Sequence, residues 1–279
     1  MKQKLLLTIT LWLTLLGSAW AQTNNALYFD GTNDYVRIKA INPSNFTVEA
    51  WVCPTALGKD QAILSTLSTN SNTGMELHIA SDNIPVLTIH GGIGFIDIKG
   101  TTAITANTWT HIAATYNGYS ASIYVNGVQT KSVLANTYQA GTQALYLGRR
   151  LMSGVLFFTG KIDEVRVWNS SRTQAEIIEA MTSNLTGTET GLLAYYTFNQ
   201  GMVNGNNSGV NTLYDATTNR NNGSLTYFTL SGTTSNWVEG YNSDSYTDTI
   251  YVYTDQIVLA DTAGSSQAFF RLFKQKLDY

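Results

Sequence analysis

The chain has 279 residues, of which 43% are hydrophobic and only 13% charged, with a formal net charge of -3. That apolar content excludes wholesale disorder, and 16 basic against 19 acidic residues leave no electrostatic footprint for nucleic acid. One cysteine excludes an internal disulfide framework and any multi-thiolate metal site.

At the start, Lys2 and Lys4 precede an apolar run from Leu5 to Leu16, and Ser18-Ala19-Trp20-Ala21 follows. A basic flank, an apolar stretch and a small-x-small cleavage site are the pattern of a secretory signal peptide over residues 1–21. The run is shorter than the ~20 residues a membrane span needs, and nothing later is longer. The expectation is an exported protein without a membrane span.

Period-two alternation then recurs along the chain. Tyr35–Ile38 is a short strand candidate, and Phe46–Val52 places Phe46, Val48, Ala50 and Val52 on one face with Glu49 and Trp51 on the other. Cys53 follows that run and reads as a buried apolar side chain. Met75–Ile79 and Val86–His90 are further candidates, and Trp109–Tyr116 separates Ile112, Ala114 and Tyr116 from Trp109, His111 and Ala113. Ser122–Gln129 is a hairpin, because Asn126-Gly127 supplies the positive φ angles of a tight turn. Leu145–Leu147 and Lys161–Trp168 follow. Strands this short and closely spaced, separated by Gly, Asn and Thr, point to a sandwich or barrel and not to βαβ units. One helix interrupts them: Thr173 and Glu176 form a capping box ahead of Ile177, Ile178 and Met181. It is expected over one end of the sandwich.

Four of these segments, in order, resemble the laminin-G-like, concanavalin A-like jelly-roll family of bacterial secreted proteins. They are Ala26–Val36 with its Phe-Asp-Gly, Phe46–Val52, Trp109–Tyr116 followed by Ile123–Gly127, and Phe158–Trp168 followed by Ser171-Arg-Thr and the helix. The resemblance covers roughly residues 26–182 and implies an all-β fold, a two-sheet antiparallel jelly-roll sandwich with one short helix. Residues 191–240, with Gly191–Phe198 and Asp215–Gly223, are similar to the element that usually precedes the Phe-Asp-Gly segment. They either open a truncated second repeat or fold back to close the one sandwich over 22–240; the sticky edge of an unpaired strand favours folding back. Residues 241–279 form an appendage, with strand candidates at Thr249–Val258 and Phe269–Leu272.

Members of the family often hold a structural calcium ion between the first and late strands. By that resemblance Asp30, Asn33, Asp34 and Asp163 are the expected ligands, since Ca²⁺ takes 6–8 oxygens from carboxylates, amides and carbonyls. Asx hydrogen bonds that merely stabilise the turn are the alternative for Asp30 and Asn33. Glycan hydrolysis needs two carboxyls about 5–10 Å apart. No strand candidate reads acidic-x-acidic; Asp97 is isolated, and the adjacent Asp163 and Glu164 should face opposite ways. His78, His90 and His111 lie on different strands, and there is no nucleophile elbow, phosphate loop or zinc motif. A binding module remains. Glu49, Trp51, Trp109 and His111 would form an aromatic and polar platform for a glycan or an extracellular protein, or else be core. Loops 66–74, 91–94, 136–143 and 152–157 are the alternative surface. A structural spacer, or a glycan-processing enzyme of this fold, is the other functional class to be distinguished.

Overall fold

Segments that alternate apolar and polar side chains bury one face only, so two such sheets stack with apolar faces together. The computed structural model takes this form. It describes residues 24–68, 72–92, 94–152 and 156–242, with the backbone of 258–260 and 266–268. The signal segment 1–21 and Phe269–Leu272 lie outside the described residues, as does all of the Thr249–Val258 candidate except Val258.

The elements in chain order are β1 (Asn25–Asp30), β2 (Tyr35–Ile38), β3 (Phe46–Pro54), β4 (Gln61–Ser65), β5 (Thr73–Ile79), β6 (Pro85–Gly91) and β7 (Phe95–Lys99). There follow β8 (Thr110–Tyr116), β9 (Ser120–Val125), β10 (Val128–Leu134), β11 (Leu145–Leu147), β12 (Thr159–Trp168) and α1 (Gln174–Thr182). The late elements are β13 (Leu192–Tyr196), β14 (Thr212–Leu213), β15 (Gly223–Thr226), β16 (Trp237–Glu239), β17 (Val258–Ala260) and β18 (Ser266–Ala268). Two compact units divide the chain, 1–241 and 242–279; the second contains the antiparallel pair β17 and β18.

The first sheet runs β10-β9-β8-β3-β12-β1-β16, and the second β14-β15-β2-β11-β4-β5-β6-β7. Between them lies the core. Val48 and Val52 of β3, Ile112 of β8 and Ile162 of β12 meet Val36, Ile63, Leu77, Leu87 and Leu147 from the other sheet, all without solvent exposure. Burying each such side chain stabilises by roughly 1.5–3 kcal/mol. The late segment is woven into both sheets: β13 pairs with β12, β16 with β1, and β15 with β2. The long β12 makes room for this, lying against β1 over its first half and β13 over its second.

Local chemistry explains the corners. Asn126 and Gly127 have φ of 49° and 75°, the mirror-turn geometry that joins β9 to β10 in two residues. Within β12 the register with β3 slips between Asp163 and Arg166, and Glu164 takes φ of 51°. That is a β-bulge, and it cancels the alternation on which the opposite-face expectation for Asp163 and Glu164 rested. The helix starts as expected, with the Thr173 side chain and Glu176 forming a complete capping box. It lies on the outer face of the first sheet, not over one end: Ile177 packs with Ala113 and Tyr124, and Ala180 with Trp168, Leu192 and Tyr195.

Candidate functional site

The sandwich has two outer faces, and they differ in what covers them. On the first sheet, Glu49, Trp51 and His111 do share a face, because Trp51 pairs with His111 and Glu49 lies two residues away on β3. They are interior, with exposures of 0% for Glu49, 1% for Trp51 and 0% for His111. Tyr241 stacks on Trp51 with ring centroids 3.6 Å apart and also makes an edge contact with Trp109 at 6.1 Å. Trp109 itself is half-buried. The platform expected from these four residues is therefore corrected to a covered layer: Tyr241 occupies the position where a ligand ring would stack, and α1 closes the rest.

The polar groups of this layer are paired with one another, although Arg166 Nε and Nη1 and His111 Nδ1 have no hydrogen-bond partner. Trp168 Nε1 donates to Glu49 Oε1 at 2.7 Å, and His111 Nε2 stands 3.2 Å from Glu49 Oε2. Burial pushes the Glu49 carboxyl up, but His111 and the Arg166 charge outweigh it and hold the group below its usual range. Burial lowers His111, which is therefore neutral. Arg166 pairs with Glu164, whose Oε2 also accepts from the Tyr195 hydroxyl at 2.6 Å. Burial, with Glu164 beside it, raises Asp163. The bulge thus leaves Glu49, Glu164 and Asp163 enclosed, each held by a hydrogen bond or ion pair.

The expected calcium ligands are not brought together. Asp30 Oδ1 accepts from the backbone amides of Thr32 at 2.7 Å and Asn33 at 3.3 Å, an Asx turn. Asp34 Oδ2 accepts from the Asp30 amide and its Oδ1 from the Ser235 hydroxyl, both at 3.0 Å. Burial lifts Asp34 to about 6. Asp163 belongs elsewhere: Leu27 pairs with Ile162 and Asp30 with Thr159, which puts Asp163 some 13 Å along β1 at ~3.3 Å per residue. There it accepts from the backbone amides of Glu164 and Tyr241. Among the described residues no three His, Cys, Asp or Glu side chains gather around a point that suits a metal. The four do not fit one cation.

No helix covers the outer face of the second sheet among the described residues. Register places a single row of side chains across seven of its strands. Ser224 of β15 lies opposite Arg37 of β2, then Tyr146 of β11 and Ser65 of β4. Glu76 of β5, Thr88 of β6 and Asp97 of β7 continue it. Six gaps at ~4.8 Å make a strip about 29 Å long. Its centre is a buried floor: Glu76 has no exposure, and Arg150 Nη1 and His78 Nδ1 each lie 3.3 Å from its Oε1. Burial raises Glu76 to about 7, the nearby Arg150 opposing it, and burial lowers His78 to about 4. The Thr88 hydroxyl donates to Asp97 at 2.6 Å. Beside it His90 and the exposed Phe95 stack at 3.9 Å.

The other end of the strip is aromatic and cationic. Tyr35 lies 5.8 Å from Tyr146 and 5.9 Å from the exposed Tyr227. The Arg149 guanidinium sits 4.5 Å over the Tyr35 ring and 5.6 Å over Phe157. Phe157 also walls an open cleft of about 450 Å³, with Gly31, Lys59, Asp60, Ser81 and Leu156. The expected loop surfaces 66–74, 91–94 and 152–157 each include residues outside the described set; 136–143 contacts strand ends, Gln139 bonding to Gly74 and His90. Sequence reasoning passed over Tyr35, Arg37, Tyr146 and Arg149. A signal existed: Val36 and Ile38, like Leu145 and Leu147, are apolar at period two, which turns Tyr35, Arg37 and Tyr146 outward.

Comparison with known proteins follows the same line. Residues 30–178 match the model of the concanavalin A-like lectin/glucanases superfamily. A solved Bacteroides ovatus structure, provisionally assigned as a carbohydrate binding protein, is 26% identical with a TM-score of 0.56, covering 73% of this chain and 58% of its own. The LG4-5 domains of the mouse laminin α1 chain are 16% identical with a TM-score of 0.45, over 52% of this chain and 41% of theirs. Mouse pappalysin-1 is 26% identical over 184 residues, 57% of this chain but only 11% of that protein. The chain thus spans about a tenth of that relative and less than two thirds of the Bacteroides ovatus chain. With a family match over more than half its length and the two-sheet antiparallel fold, this chain belongs to the concanavalin A-like lectin/glucanases superfamily.

Proposed function

We propose that the protein is an exported, non-catalytic module that binds a glycan across the outer face of its second sheet. The observation that carries this is the transverse row from Ser224 to Asp97: Ser224, Arg37 and Asp97 are exposed and Tyr146 is half-buried, so hydroxyl, guanidinium, carboxylate and a tyrosine ring reach solvent towards its two ends, on either side of the buried Ser65, Glu76 and Thr88. Sugars present alternating hydroxyls and apolar ring faces, and such a strip answers both. The sequence similarity to the provisionally assigned carbohydrate binding protein supports the same reading. An extracellular protein is the alternative ligand, and the signal-like segment 1–21 supports export.

Glu76 and Asp97 flank Thr88 on one face, which invites comparison with a hydrolase pair. Glu76, however, is buried behind Arg150 and His78 and cannot touch a substrate, while Asp97 is held by Thr88. That geometry supports binding without catalysis.

The test is affinity electrophoresis and calorimetry of the full chain against a polysaccharide panel. Tyr146→Ala is expected to weaken binding about tenfold or more at an unchanged melting temperature, the scale of one ring-stacking contact. Unaltered binding in Tyr146→Ala, or release of reducing ends by the wild type, would overturn the proposal.

A further inference from the structure

We infer that the glycan bound by this face is anionic, its carboxylate or sulfate groups taken by Arg37 and Arg149 at the tyrosine-rich end of the strip. This rests on the ligand-face reading above and adds the chemical class. The two arginines are unlike the others of this face. Arg150 is committed to Glu76, and on the opposite sheet Arg166 is committed to Glu164. Among the described residues Arg37 and Arg149 have no ion-pair partner, and Arg149 Nε has no hydrogen-bond acceptor.

Both are nonetheless placed. Arg37 stands opposite Tyr146 on the outward side of a strand whose Val36 and Ile38 are locked in the core. Arg149 is held with its guanidinium carbon over two rings, its Nε buried without an acceptor, so any external acid would be met by its Nη groups. A positioned guanidinium without an acceptor is a ready bidentate partner for a planar carboxylate or a sulfate. The rings of Tyr35, Tyr146 and Tyr227 around it supply the apolar contact that a sugar ring needs. Charge elsewhere argues for the same class: the molecule is net acidic, at -3, yet this end of the strip carries two arginines without an ion-pair partner among the described residues. Asp60 and Lys59 at the adjoining cleft offset each other in charge.

The experiment uses the full chain and matched polymers that differ in charge. Polygalacturonate against its fully methyl-esterified form reads carboxylate recognition; chondroitin sulfate against desulfated chondroitin reads sulfate. Arg37→Gln, Arg149→Met and the double variant are compared with Lys131→Gln, an exposed lysine on β10 of the other sheet. The expected result is at least a tenfold preference for one charged polymer over its neutral form, an affinity that falls with added NaCl, and about a tenfold loss per arginine removed, within the range for a hydrogen bond to a charged group. Melting temperatures and the Lys131→Gln affinity stay unchanged. Equal binding of charged and neutral polymers, or an Arg37→Gln and Arg149→Met double variant that binds like the wild type, overturns the inference and leaves the glycan-binding reading intact. No binding by any polysaccharide overturns both.

Discussion

Asp34→Asn is the substitution most sharply determined by the structure. The Asp34 side chain has no solvent exposure, and its carboxyl is lifted from 3.8 to about 6. A raised acid binds its proton more tightly when folded, so its contribution to stability is fully present below pH 3.8 and is lost as pH rises through 6. At 1.36 kcal/mol per unit, ionised Asp34 leaves the native state about 3 kcal/mol less stable above pH 7 than it would be with the group neutral. Asparagine is nearly isosteric and carries no charge. Its Oδ1 can accept from the Asp30 amide as Oδ2 does now, and its Nδ2 can donate to Ser235 Oγ. The Ser235 hydroxyl proton then loses its acceptor, at about 1 kcal/mol. The net expectation is a variant about 2 kcal/mol more stable than wild type above pH 7, or roughly 4–8 °C in melting temperature for a domain of this size. Below about pH 4 wild-type Asp34 is already neutral, and the variant should be less stable by about 1 kcal/mol. Urea denaturation at unit pH steps from 4 to 8 reads the crossover directly. If Asp34→Asn is instead the less stable protein at pH 7.5, and EDTA abolishes the difference, then Asp34 is a calcium ligand and not the buried, hydrogen-bonded acid of this turn.

The remaining predictions concern the covered face. Trp51→Ala removes a ring enclosed by Tyr241 and α1 and should destabilise by about 3–5 kcal/mol, while the protein that stays folded binds glycan as before. Loss of binding with an unchanged melt would restore Trp51 to a ligand site. Thr173→Ala deletes the hydroxyl that accepts from the Glu176 amide, and should lower stability by about 1 kcal/mol, measured by chemical denaturation.

The fold was legible because its determinants are local. The alternation Phe46–Val52 states which side chains enter the core, Asn126-Gly127 states where a hairpin closes, and Thr173 with Glu176 states where the helix begins. Each of these depends on neighbours in sequence, and each is found in the structure. The site was legible only in part, for two physical reasons. First, period two says that Glu49, Trp51 and His111 share a face but not which layer lies above it; Tyr241 is nearly two hundred residues from Trp51 in sequence, and nothing in either segment announces the stack. Second, the transverse row exists only once seven strands are placed side by side. Ser65 and Tyr146 become neighbours through β4 and β11, elements remote in sequence, so no local window contains the strip. The bulge at Glu164 is a third case. A left-handed backbone at a non-glycine residue is set by packing around β12, and the period-two rule fails there without any sequence mark.

Which outer face meets a ligand follows from how each one disposes of its charge. On the first sheet Arg166 faces Glu164 and Glu49, Asp163 caps the Tyr241 amide, and α1 with Tyr241 seals the layer. Arg166, Glu49, Glu164 and Asp163 each have an internal charged or amide partner, as burial at low dielectric demands, since a lone enclosed charge is costly. On the second sheet that internal balance stops at Arg150 and Glu76. Beyond them Arg37, exposed, and Arg149, half-buried, stand by three tyrosines with no ion-pair partner among the described residues. With 13% charged residues, the chain has few groups to leave in this condition. Two arginines left without acids on one aromatic strip therefore mark the surface where an external acid is to be met.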